Sequence, residues 1–204
     1  MTLEITKGIR RAGRIARPAL LGGLVIIPLL ATGTDTGYGY STYHMPAKLV
    51  QIVRDNTRQF LDVNAAGPAG YGAFLGCVNG PDHGAMGVHY VNLTFYGQGL
   101  IDATHPTALI YEPKGNLRRL VGVEFIVDAA SWLAGHNGAP PVLEGQVFNL
   151  VNSPNRFNLP AFFELHVWAW RDNPQGAFVD WNNDVTCEGQ PQDPVLPPDP
   201  GGDH

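Results

Sequence analysis

The spacing of apolar residues along the chain changes character twice. After a Gly- and Tyr-rich stretch from Thr34 to Met45, Pro46 opens a segment in which Leu49, Ile52, Val53, Phe60 and Leu61 recur near helical spacing. Proline suits the first helical position, and the periodicity predicts a helix over 46–62. Gly67, Pro68, Gly70, Gly72 and Gly76 then predict a loop that runs through Cys77 to Gly84. Beyond it, stretches rich in β-branched and aromatic residues predict strands at 86–96, 107–111, 117–127, 146–151 and 162–170. Gly115-Asn116 reads as a turn, and Pro140-Pro141 and Ser153-Pro154-Asn155 as breaks. One helix followed by several strands, with no alternation of the two, predicts an α+β fold: an N-terminal helix followed by a curved, mainly antiparallel β-sheet or barrel. Curvature is expected because several strands carry apolar residues on both faces. No internal repeat and no interior linker interrupts this single domain.

The two ends of the chain differ from this body. Lys7, Arg10, Arg11, Arg14 and Arg17 are opposed only by Glu4, and an apolar run from Pro18 to Ala31 leads into Ala31-Thr32-Gly33. That order predicts a secretory signal peptide over 1–33. The apolar run falls short of the roughly 20 residues a spanning helix needs, so no membrane span is expected after cleavage. Arg10-Arg11 suggests a twin-arginine signal, but Ala12-Gly13-Arg14 lacks the bulky apolar residues that should follow, which favours the general secretory route. At the other end, 188–204 holds five prolines and no apolar pattern, which predicts a disordered tail. The globular domain is therefore expected at 34–187.

Removing the leader changes the charge. The whole chain is −5, and residues 34–204 keep eight basic and seventeen acidic side chains, or −9. So acidic a domain argues against nucleic acid and anionic lipid as partners. It suits a small neutral or cationic molecule. Cys77 and Cys187 are the only cysteines. In an oxidising, secreted or periplasmic setting they have one intramolecular pairing, which closes a loop of about 110 residues and is worth ~4–5 kcal/mol.

Familiar catalytic signatures are missing. No Gly-x-Ser-x-Gly elbow, phosphate-binding glycine loop or His-Glu-x-x-His helix occurs, and Ser41, Ser131 and Ser153 all fall in predicted loops. What remains is ionisable groups in the middle of strands. His89 lies in Gly87-Val-His-Tyr-Val-Asn92, Glu124 in Val121-Gly-Val-Glu-Phe-Ile126 and His166 in Phe163-Glu-Leu-His-Val-Trp168. Side chains alternate along a strand, so each can point inward while its neighbours pack the opposite face. Buried singly, such groups are expensive; together in one cavity they compensate one another. Two imidazoles and a carboxylate are a ligand set for Zn, Fe, Mn or Cu, so His89, Glu124 and His166 are candidate metal ligands. Glu124 is also a candidate catalytic acid or base. Tyr111, Gln146, Trp168 and Trp170 are candidate pocket residues, with Trp168 and Trp170 expected on the His166 face as an aromatic wall. Each of these positions is equally compatible with ordinary packing around a satisfied polar tip.

The segments Gly84-Ala-Met-Gly-Val-His-Tyr-Val-Asn92, Leu109-Ile-Tyr-Glu-Pro113, Leu120-Val-Gly-Val-Glu-Phe125 and Leu165-His-Val-Trp-Ala-Trp170 occur in that order. They are followed by Asn173-Pro-Gln-Gly-Ala-Phe178 and Trp181-Asn-Asn-Asp-Val-Thr-Cys187. With these motifs the chain resembles a family of uncharacterised secreted bacterial proteins over roughly 46–187, departing from it at Asn183, where proline is expected. The resemblance implies export, one domain and the Cys77–Cys187 bridge, and it implies no reaction. Two readings stand at this point. In the first, an exported pocket protein uses its His/Glu site, with metal or as an acid–base set, on a small organic molecule. In the second, a non-enzymatic extracytoplasmic protein binds an apolar or aromatic ligand or an envelope partner.

Overall fold

In the computed structural model of the chain, residues 47–80 and 82–190 are described. The expected leader at 1–33, the lead-in to Pro46 and the tail from 191 onward lie outside them. Helix α1 spans Lys48–Thr57, and Leu49, Val50, Val53 and Thr57 form its buried stripe. It ends sooner than its periodicity predicts. Thr57 Oγ1 donates to Val53 O at 2.6 Å, and the chain tightens into a 3-10 turn, Arg58–Leu61, that buries Phe60. Two further 3-10 turns lead to Gly70, whose φ of 88° reverses the chain.

The predicted glycine-rich loop is instead a strand, β1 (Gly72–Gly80), paired antiparallel with β2 (Gly84–Val91). Its glycines accompany two register shifts, and Leu75 adopts φ 62° there. The glycines therefore mark irregularities in an edge strand, where pairing on one side only tolerates them. The second correction concerns the strand expected over 86–96. Asn92 stops it at Val91 by accepting hydrogen bonds from Thr94 N and Phe95 N, which caps helix α2 (Leu93–Gln98). Asp128 acts in the same way, accepting from Ser131 N at 2.8 Å and starting helix α3 (Ala129–Gly135), which the periodicity did not reveal.

The remaining strands are β3 (Ala108–Lys114), β4 (Leu117–Asp128), the two-stranded ribbon of β5 (Val142–Leu143) and β6 (Gln146–Val147), β7 (Asn149–Val151) and β8 (Phe162–Val167). The expected 146–151 strand is thus split between ribbon and sheet. The six-stranded sheet has the order β1-β2-β3-β4-β8-β7, every neighbour antiparallel. It curls into a half-barrel behind the N-terminal helix, so the α+β expectation with a curved antiparallel sheet holds.

Alternation gives the sheet two unlike faces. Leu109, Tyr111, Val123, Phe125, Val127, Phe163, Leu165 and Val167 pack with Leu49, Val50 and Val53 of α1 in the main core. The opposite face carries His89, Ile110, Glu124, Glu164 and His166 in register. A strap over 171–190 returns to this region. Asn182 bridges to Ala85, Thr186 N donates to Glu112 Oε1, and Cys187 closes a disulfide with Cys77 of β1. Gly87, at φ 109°, lets strand β3 approach here, since an added Cβ would lie 2.8 Å from Tyr111 O.

Candidate metal centre

Register places the site. Glu124 of β4 and His166 of β8 are direct cross-strand partners, and Glu164 lies opposite Ile126, one pleat further along. His89 sits two strands from Glu124, on β2, with β3 between them. Small residues stand along the diagonal between them: Ala108 of β3 pairs with Glu124, and Gly122 of β4 lies beyond Ile110, the partner of His89. The two longer side chains can therefore meet above β3. His89 Nε2 lies 3.3 Å from Glu124 Oε2, and His166 Nε2 lies 4.0 Å from Glu124 Oε1. The rings of His89 and His166 stand edge to face, with centroids 5.9 Å apart. Exposure is 8% for His89, 3% for Glu124 and 1% for His166, so bulk water does not solvate the cluster.

The three residues expected to converge therefore do so. His89, Glu124 and His166 each offer a ligand atom within 4.8 Å of the other two. A second set, Glu164, His166 and Asp180, meets the same limit. His166 belongs to both, and both of its ring nitrogens are buried with no hydrogen-bond partner among the described residues. Asp180 Oδ1 lies 3.5 Å from His166 Nδ1, near enough to attract a proton there but without hydrogen-bond alignment. Nitrogens left in this way usually signal a missing ion or water, because an unpaired buried polar atom costs ~1–3 kcal/mol.

Burial and crowding set the protonation of the group. Burial pushes Glu124 up to about 7, with the Asp180 charge adding to it and a hydrogen bond with Glu164 opposing it. Glu164 is raised well above its ordinary value by burial first, then by the Glu124 charge. Burial pulls His89 down to about 3, helped by repulsion from His166 and opposed by a hydrogen bond to the Gly87 backbone. His166 also suffers from burial, but Asp180 beside Nδ1 and the charges of Glu164 and Asp180 outweigh it, so its value ends raised. Without a metal, then, protons hold the carboxyl groups together.

Next to the cluster is a cavity of about 110 Å³ whose walls are almost wholly apolar. Phe74, Met86, Val91, Ile126 and Phe162 line it, and its polar lining consists of His89, Glu124 and Glu164 together with the Tyr96 side chain. The four residues expected around a pocket lie elsewhere. Tyr111 belongs to the main core and donates its hydroxyl to Phe60 O at 2.9 Å. Gln146 is on the β5–β6 ribbon. Strand β8 ends at Val167, so Trp168 and Trp170 do not form one wall. Trp168 stacks near His166 and donates to Val179 O, while Trp170 packs on the main core and donates to Thr57 Oγ1 at 3.0 Å.

Two site residues escaped the sequence reading. Glu164 is two positions before His166, and the two-residue period that placed His166 would have placed it as well. Asp180 lies in a strap without periodicity, and only the path back to Cys187 brings it to the site. Among the described residues no helix is long and apolar enough to cross a membrane. No protein-family model, curated protein or solved structure matches the chain.

Proposed function

We propose that this is an exported metal-binding protein that acts on a small organic molecule, with His89, Glu124 and His166 as the metal's ligands. The observation that carries the reading is the fully buried His166 ring, with neither nitrogen hydrogen-bonded, facing Glu124 on one side and Asp180 on the other. Two imidazoles and one carboxylate fit a first-row transition ion such as Zn, Fe, Mn or Cu. Ligand atoms sharing a tetrahedral ion at about 2 Å stand roughly 3.3 Å from one another. His89 Nε2 already stands at that value from Glu124 Oε2, and His166 Nε2, 4.0 Å from the other carboxylate oxygen, would have to close in, with the three ligand atoms lying within 4.8 Å of one another. Asp180 matches the carboxylate that commonly holds the far nitrogen of a metal-bound histidine, which would direct the Nε2 lone pair toward Glu124.

A bound divalent ion would supply a Lewis acid at the polar end of the apolar cavity. The chain's own residues would do the rest. His89 and Glu124 hold the ion where it meets the cavity, the apolar walls exclude water, and Glu164 is placed to exchange a proton through Glu124. A metal-free variant of this reading, in which Glu124 is the acid–base group, is favoured by its value near 7. Export is supported by the basic–apolar–small pattern of the leader and by the disulfide.

Untagged protein, stripped with chelator and titrated with zinc, tests the metal reading. One equivalent should bind, and His166→Ala or His89→Ala should weaken binding at least ten-fold. Failure to take up zinc, manganese, iron or copper stoichiometrically would remove it and leave the acid–base variant.

A further inference from the structure

We infer that the cavity beside the cluster holds a neutral, single-ring organic molecule carrying one oxygen head group, of the phenol or cyclic alcohol class. The inference rests on the metal reading for the place of the oxygen, and on the cavity for everything else.

Size sets the ring. The cavity measures about 110 Å³, of the same order as the ~150 Å³ apolar cavity that takes up benzene in an engineered protein. Phe74 and Phe162 offer aromatic contact, and Met86, Val91 and Ile126 complete an aliphatic lining. The entry side is apolar too, since Leu75 and Leu93 belong to the lining and are 40% and 65% exposed. An apolar molecule therefore meets little polar surface on its way in.

Charge sets the head group. The polar end of the cavity presents His89, Glu124 and Glu164. A carboxylate or phosphate would be drawn to the ion by its charge, but its remaining oxygens would face the Glu164 carboxyl and apolar walls, where burying that charge is costly. An ammonium would meet the metal's own charge and would lose its hydration among apolar walls. A neutral hydroxyl meets neither obstacle. Its oxygen lone pair can face the ion held by His89 and Glu124, and its hydrogen can be donated to a carboxylate. One oxygen suffices, because the remaining walls offer almost nothing to a second polar group.

Calorimetric titration of the full mature chain with phenol, in zinc-loaded and chelator-stripped forms, tests this, with benzene, benzoate and benzylamine as companions. Saturable binding of one phenol, at least ten-fold tighter than each of the three, is expected in the zinc-loaded form. Leu159→Trp, a change in a loop residue that lines the cavity, should weaken phenol at least ten-fold while zinc stoichiometry stays the same. Benzene binding as tightly as phenol would overturn the inference, because the oxygen would then contact nothing. Tighter binding of benzoate or benzylamine, or no saturable binding of any of the four, would overturn it as well. Metal analysis of the same samples scores the metal reading separately: zinc bound without phenol sinks the ligand class alone, and phenol bound without zinc sinks the metal alone.

Discussion

Replacing Glu124 with glutamine keeps the side chain's shape and removes one titrating group from the middle of the cluster. Glu124 has a folded-state value near 7 against an ordinary 4.5, because burial disfavours its charged form. Below pH 4.5 the group is protonated whether the chain is folded or not, and it makes no difference to stability. As pH rises from there, the unfolded chain releases its proton first, so stability is lost until the folded-state value is passed. The slope is ~1.4 kcal/mol per pH unit, which over that interval amounts to about 3 kcal/mol. His89 works in the opposite sense. Its folded value near 3 lies below the ordinary 6.5, so the unfolded chain takes up that proton first as pH falls, and stability is lost on the acid side. In the wild type the two slopes oppose each other between 4.5 and 6.5. Glu164 and His166, both raised, each add to the loss at higher pH.

The difference between wild type and Glu124→Gln reads Glu124 together with the part of the Glu164 shift that the Glu124 charge imposes. Urea unfolding followed by tryptophan fluorescence, with chelator present and the disulfide intact, gives stability at each pH from about 4 to about 8. Relative to the variant, wild type should lose about 3 kcal/mol across that range, with most of the change below pH 7. Excess zinc should abolish or reverse the trend, because the ion binds the deprotonated ligands and is itself favoured by rising pH. Parallel stability curves for the two proteins in chelator would refute the reasoning, since they would mean that Glu124 titrates as an ordinary solvated carboxyl.

Three further outcomes are expected. Asp180→Asn should weaken zinc ~10–100-fold in a competition titration, because Asp180 holds the far side of His166 without being one of the three ligands proposed. Tyr111→Phe should cost about 1–3 kcal/mol in urea unfolding, since Phe60 O loses its buried donor, and should leave zinc affinity unchanged. Replacing Cys77 and Cys187 together by serine opens a closed loop of 110 residues and should cost ~4–5 kcal/mol by the same measurement.

The convergence of Glu124 with His166 was legible because both stand mid-strand among apolar neighbours, and a two-residue period fixes which face each takes. His89 was expected to join them on chemical grounds, without the strand order that makes it a neighbour of Glu124. Their meeting depends on β3 lying between them with Ala108 at the crossing, a matter of register between strands that a single sequence does not state. The misread segments fail for related reasons. Glycines over 67–84 signal turns in isolation, and only pairing with β2 makes most of that stretch an irregular strand. Asn92 reads as a strand residue until its side chain turns back to cap helix α2, and the short helix α3 that Asp128 caps carries no periodicity to announce it. Trp170 was assigned to the wrong face because alternation was carried past Val167, where the strand ends.

The sheet's second face is where the sequence departs from what stability alone would select. Valine or leucine at 89, 124, 164 and 166 would match the neighbouring strand residues and would bury no ionisable group. Replacing buried charges by apolar residues of similar volume is commonly neutral or stabilising. Instead five ionisable side chains, one of them carried in by the strap, lie in one cluster, three of them (His89, Glu124 and Glu164) lining an apolar cavity, and a disulfide fixes the strap to the edge strand. Local rules are broken here together and in register, whereas the opposite face obeys them throughout. A structural role would be met by one satisfied pair. It does not account for a second histidine whose Nε2 is buried and unbonded beside Glu124, and an ion shared with His89 and Glu124 does.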